Sequence, residues 1–102
     1  MHPIVAERLP QLQELCRQYR VARLDLFGSA AGQGFDPARS DLDFLVEYLP
    51  NPEADALEEF FGFKAALEKL FGRNVDLVEA RAIRNRYFRA DVEETRVRVY
   101  AA

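Results

Sequence analysis

Apolar residues between Pro3 and Tyr19 fall at positions 4, 5, 9, 12, 15, 16 and 19, the spacing of a helix that buries one face. Pro10 interrupts the pattern, so the helix either kinks there or begins there, with proline in its first turn. From Val21 to Phe27 the period changes to that of a strand, around Leu24 and Leu26, and Gly28 should stop it. Ser29–Ser40 contains Gly32, Gly34 and Pro37 and reads as a loop, with at most one short helical turn after Ser29. Leu42–Tyr48 is a second strand, ended by Pro50 and Pro52, which cannot donate to a ladder. In Pro52–Phe71 the residues Leu57, Phe60, Phe61, Leu67, Leu70 and Phe71 form one side of an amphipathic helix, closed by Gly72 and Asn74. A short strand over Asn74–Glu79, a helix over Arg86–Thr95 with Phe88 and Val92 one turn apart, and an alternating edge strand over Arg96–Tyr100 complete the chain.

That order predicts an α/β (α+β) fold: a small mixed sheet of three to four strands with helices covering it. The first two strands are joined by a loop rather than a crossover helix, so they should run antiparallel. With 102 residues, 49% of them apolar, residues 1–102 make one domain with a single core. No apolar run approaches the roughly 20 residues of a membrane span, and MHPIVAERLP lacks the features of a signal peptide, so a cytoplasmic location is expected. Cys16 is alone and falls on the apolar helix face, as a core thiol should.

The net charge of -3 argues against nonspecific nucleic-acid binding, but the average hides an asymmetry. Residues 1–79 carry 8 basic and 14 acidic side chains, whereas residues 80–102 carry 6 arginines and 3 acids. The basic tail is either a solvated edge or a surface for an acidic partner or for nucleotide phosphates.

Candidate chemistry lies in LFGSAAGQGFDPARSDLDFLVEYL, residues 26–49. Alternation turns Leu42, Phe44 and Val46 to the core and leaves Asp41 and Asp43 together on the opposite face, with α carbons about 6.5 Å apart. Such carboxylates repel, and one is pushed to hold a proton unless a cation neutralises them. Oxygen-only ligands suit magnesium or manganese, which pair carboxylates with substrate phosphates in nucleotidyl transfer. Gly28 and Ser29, where a strand turns into a short helical turn, can offer backbone N–H groups and a hydroxyl to a phosphate. Asp76, in NVDLVE, is a third carboxylate that could complete the metal site or accept a proton from an attacking hydroxyl. Taken piecemeal, Ser40 and Asp41 end a loop and Asp43 is an exposed strand residue, and an Asp-x-Asp arises by chance in about one such chain in four.

Taken together, LFGS, SDLDFLV, VDLV and IRNRYFRADVEETRVRVYA resemble the minimal nucleotidyltransferase (MNT) family of the DNA polymerase beta superfamily, from about Leu24 to the C-terminus. The resemblance implies a small mixed sheet with helices on one side. It also implies a triphosphate held by Gly28 and Ser29, with Ser40 in the nucleotide-binding set, and magnesium or manganese ligated by Asp41, Asp43 and Asp76. Many such proteins look like antitoxins that silence a helical HEPN-domain ribonuclease toxin by moving AMP from ATP onto a toxin tyrosine. A protein acceptor is favoured because the chain is too short for a second, small-molecule-binding domain.

This sequence departs from the family pattern where arginine commonly follows the serine and recurs two residues later: Ala30 and Gly32 stand there. Arg39, Arg84 or Arg86 would have to supply that charge. A catalytically weak module that neutralises its partner by covering it is the reading from a different class. Homo-oligomer formation stays open, and neither membrane nor direct nucleic-acid binding is expected. His2 reads as a frayed terminus, Asp25 as solvated or salt-bridged, and Phe63, off the helix stripe, as a partner contact. Asp55, Glu58 and Glu59 read as a charged face without a specific task.

Overall fold

Pro10 starts a helix rather than bending one. In the computed structural model, which describes residues 1–102, a single-turn helix α1 (Pro3–Ala6) ends before α2 (Leu9–Gln18), and Pro10 sits in the first turn of α2. An N–H at that position has no intrahelical partner to lose. The N-terminus is tied down, contrary to the frayed end expected: His2 Nδ1 accepts the Ile4 N–H at 3.1 Å, its own N–H donates to the Ala30 carbonyl at 2.8 Å, and its ring lies 4.5 Å from that of Phe35.

Four strands form one sheet: β1 (Val21–Phe27), β2 (Leu42–Tyr48), β3 (Val75–Glu79) and β4 (Val97–Ala101), in the order β3-β2-β1-β4. β1 runs antiparallel to both β2 and β4, while β2 and β3 are parallel. The parallel pair needs a crossover, which α3 (Ala56–Phe71) supplies. Asp55 has a definite task here: its carboxylate caps α3 by accepting the N–H groups of Leu57 and Glu58 at 3.1 and 3.2 Å. Gly72, at φ 63°, ends the helix in the left-handed region.

Leu24, Leu26, Leu42, Phe44 and Val46 point to one face of the sheet and are fully buried beneath Leu12 and Cys16 of α2 and Phe63 and Leu67 of α3. Burial pushes the Cys16 thiol up to about 12, which leaves it protonated and inert. The other face is not bare. Phe27 and Leu45 join Ile83 and Val92 in a smaller cluster under α4 (Arg86–Thr95). Helices therefore cover both faces rather than one, because β1 and β2 each turn a second large apolar residue away from the main core.

Asp25 is 4% exposed, with Arg98 Nε at 3.1 Å and Arg96 Nε at 3.7 Å from its carboxylate oxygens; it is ion-paired and not solvated. No helix is long and apolar enough to cross a membrane.

Phe63 and Phe61 exchange the roles expected of them. Phe63 is fully buried, its ring 5.4 Å from Tyr19 and 6.3 Å from Tyr48, whereas Phe61 is 59% exposed beside Leu57 at 69%. The inward stripe runs through Phe60, Phe63, Leu67, Leu70 and Phe71, and Leu57 and Phe61 lie one turn apart on its flank. Phe63→Ala is expected to cost about 3–5 kcal/mol in urea unfolding, and Phe61→Ala to stay within about 0.5 kcal/mol of wild type. Equal losses would show that the stripe is drawn wrongly.

Candidate active site

β1 ends at Phe27 and the chain turns at once into a single 3-10 turn, Gly28–Ala30. Gly28 has φ +70°, and a Cβ built on it would collide with the carboxylate of Asp43, which lies across the ladder from Phe27. Only glycine satisfies both the backbone angle and the close approach. The turn is fastened on three sides. The Gly28 carbonyl accepts the N–H groups of Ala31 and Gly32 at 3.2 and 3.3 Å. The Gly28 N–H donates to Thr95 Oγ1 at 3.1 Å, and that hydroxyl donates in turn to the Asp91 carbonyl at 3.2 Å.

Asp43 and Asp76 are register partners on the parallel strands β2 and β3. Adjacent strands are about 4.8 Å apart, so the two side chains leave the sheet as neighbours on the same face. Asp41, exposed, stands just before β2. The Asp43 carboxyl is pushed up to about 6, first by burial, then by the negative charges of Asp76 and Asp41. None of the three carboxylates has a lysine or arginine ion-paired to it.

The three do not close into a ready cage of ligands. What they provide is a hard-oxygen donor set with unneutralised charge, beside a turn that a Cβ would fill. This suits a magnesium ion that keeps several waters and completes its shell with phosphate oxygens. The donor chemistry therefore fits the implied ion.

Ser29 lies half-buried within the turn. Ser40 is used by its own loop: its hydroxyl accepts the Asp36 N–H at 3.0 Å and its carbonyl accepts from Arg73 at 3.2 Å, which fixes the approach to Asp41. Ala30 is 1% exposed in the main core, so its side-chain direction leads away from the carboxylates and has no room for arginine. Gly32 is open, with only the Gly28 carbonyl at 4.0 Å from a Cβ. Arg39, Arg84 and Arg86 are exposed and unpaired. Thr95 was not legible as part of this corner, since its bond spans 67 residues and no motif announces it.

The nucleotidyltransferase domain family matches residues 10–99. The chain belongs to that family. A relative from Methanocaldococcus jannaschii, provisionally named a protein adenylyltransferase, is 32% identical over 94 residues, covering 84% of this chain and 92% of its own. A solved structure described as a minimal nucleotidyltransferase is 31% identical with a TM-score of 0.74 and covers 95% of both chains. The same fold recurs, at 17% identity and a TM-score of 0.67, in an MNT antitoxin in complex with the tri-AMPylated HEPN toxin of Shewanella oneidensis, matching 95% of this chain and 72% of that one.

Two expectations follow for this nucleotidyltransferase domain. Gly34 also has positive φ, +90°, but a Cβ there meets nothing within 4 Å. Gly34→Ala should therefore cost about 1 kcal/mol of backbone strain alone, while Gly28→Ala should melt lower still; equal effects would mean that Asp43 does not crowd the turn. The second concerns pH. Asp43 binds its proton more tightly folded than unfolded, so its contribution to stability is complete below about pH 4 and is lost as pH rises through about 6. In metal-free buffer Asp43→Asn should be more stable than wild type at pH 7.5 by about 1–2 kcal/mol, with the gain vanishing near pH 3.5. A gain that is constant with pH would contradict the crowding of charge.

Proposed function

We propose that the domain is a metal-dependent adenylyltransferase that moves AMP from ATP onto a tyrosine hydroxyl of a helical HEPN-type partner and serves as the antitoxin to that partner. The observation that carries this is the register pairing of Asp43 with Asp76 beside the Gly28 turn, a concentration of negative charge that the chain itself leaves uncompensated. The name of the Methanocaldococcus jannaschii relative and the fold shared with the HEPN-bound antitoxin support the choice of a protein acceptor.

Asp41, Asp43 and Asp76 would hold magnesium, with manganese as a substitute, and the turn from Gly28 with Ser29 would orient the triphosphate. When bound, the ion supplies positive charge to offset what develops on the phosphate oxygens. The acceptor oxygen forms a bond to the α phosphorus, the bond to the bridging oxygen of the β phosphate breaks, and pyrophosphate leaves. Asp76, exposed at the strand mouth, takes the proton of the hydroxyl. Holding the hydroxyl and the α phosphate together contributes much of the rate. The reaction is set in the cytoplasm, where ATP is available.

The burial of Ala30 favours a second reading, because the family arginine cannot be hosted there: a binding module that neutralises its partner by covering it. One assay separates the two. With the HEPN-type partner, labelled ATP and magnesium, each modified tyrosine should gain AMP, and Asp43→Asn should slow transfer by at least a hundredfold. No added mass, together with full neutralisation by the Asp41→Asn/Asp43→Asn variant, would leave only the binding module.

A further inference from the structure

Helix α4 carries its charges against the helix dipole. A helix is stabilised by acids in its first turn and bases in its last, and α3 obeys with Glu58 and Glu59 at its start and Lys69 at its end. α4 has no acid in its first turn and no base in its last. Instead Arg84 and Arg86 stand at its start and Glu93 and Glu94 near its end. Local rules broken without a stabilising return mark places selected for something else.

The start of α4 is not an anion site, because the Asn85 side chain already accepts the N–H groups of Tyr87 and Phe88 at 2.8 and 3.2 Å. What it offers is a side-chain surface. Tyr87 is 69% exposed and Phe88 36%, and only Val92 of the helix is buried. The Arg86 guanidinium lies 5.1 Å over the Tyr87 ring and donates to its hydroxyl at 3.3 Å, while Arg84 and Arg86 have no acidic partner. Further along, Glu93 is paired with Arg96, but Asp91 and Glu94 are exposed and unpaired. One end of the outer face is therefore basic and aromatic, and the other acidic.

We infer that this outer face of α4 is the docking surface for a protein partner with the reverse polarity: an acidic patch meets Arg84 and Arg86 around an apolar seat for Tyr87 and Phe88. Arginine and tyrosine are the side chains that concentrate binding energy at such surfaces. A nucleic acid is a poorer fit, because a uniform polyanion laid along the helix meets Asp91 and Glu94 as well as a chain of net charge -3. The surface adjoins the phosphate turn. Phe88 packs edge-on against Phe27 at 5.9 Å, next to Gly28, and Thr95 of the same helix holds the Gly28 N–H. Identification of this partner with the protein that receives AMP rests on the function proposed above; the docking surface itself does not need catalysis.

The test places the photoreactive residue p-benzoylphenylalanine at position 87, and as a control at position 57 on α3, in the whole chain within the cells that encode it. The adduct is identified by mass spectrometry, and its Kd is measured by calorimetry against wild type and the Arg84→Glu/Arg86→Glu variant. A protein captured at 87 and not at 57, through an acidic segment, with binding weakened tenfold or more by charge reversal, is the expected result. Nucleic acid or a second copy of the chain in the adduct, no adduct, or a smaller loss of affinity would overturn it. Charge reversal puts acids at a helix start, so the variant should melt no lower than wild type, and lost binding cannot then be put down to unfolding. Capture at 87 without any AMP transfer by wild type would sink the adenylyltransferase reading alone. Transfer to a partner that the charge-reversed variant binds equally well would sink the docking surface alone.

Discussion

The repulsion between Asp43 and Asp76 is imposed by the hydrophobic register around them. On β2 and β3 the pairs that flank them, Leu42 with Val75 and Phe44 with Leu77, are buried in the main core. A slip of one residue in either strand would turn its two core side chains out of the main core and its aspartate into it, which costs far more than two carboxylates gain by separating. The aspartates are held together by residues that have no chemistry of their own. Burial first, and then the negative charges of Asp76 and Asp41, push the Asp43 carboxyl up to about 6. The glycine of the adjoining turn follows from the same constraint, since the Asp43 carboxylate occupies the space that any larger residue at position 28 would need.

Much of this was legible because alternation and punctuation are local. The strand over Leu42–Tyr48, its inward Leu42, Phe44 and Val46, and the outward Asp43 follow from a period of two and from Pro50. Membership of a mixed sheet followed from the lack of a crossover between β1 and β2. What could not be read was nonlocal. That Asp76 lies opposite Asp43, rather than at another register, depends on how α3 returns the chain to the sheet. Phe61 and Phe63 both fit helical spacing, and only the packing against Tyr19 and Tyr48 decides which is inside. Asp25 reads as solvated or salt-bridged until the arginines of β4 and its approach fold back over it and decide for the salt bridge, and His2 looks free until its contacts with Phe35 and Ala30 form.

The nucleotidyltransferase domain family spans residues 10–99, and the arginine that the resemblance leads one to expect after Ser29 is replaced by Ala30. In this chain the residue after Ser29 is a core position, sealed by the N-terminal segment whose His2 N–H bonds to the Ala30 carbonyl. The basic side chains of the C-terminal segment then divide by use. Arg96 and Arg98 hold Asp25 and so anchor β4, while Arg84, just before α4, and Arg86, at its start, have no acidic partner. One helix thus borders the Gly28 turn with Thr95 and presents its charged outer face to solvent.

The claim on which everything else depends is that Asp43 and Asp76 jointly hold a divalent cation. Crystals grown with manganese and a nonhydrolysable ATP analogue, measured at the manganese absorption edge, test it directly. The account predicts an anomalous peak within coordination distance, about 2.0–2.3 Å, of a carboxylate oxygen from Asp43 and one from Asp76, with the triphosphate beside Gly28. Bound analogue with manganese elsewhere, or no manganese at all, would contradict it.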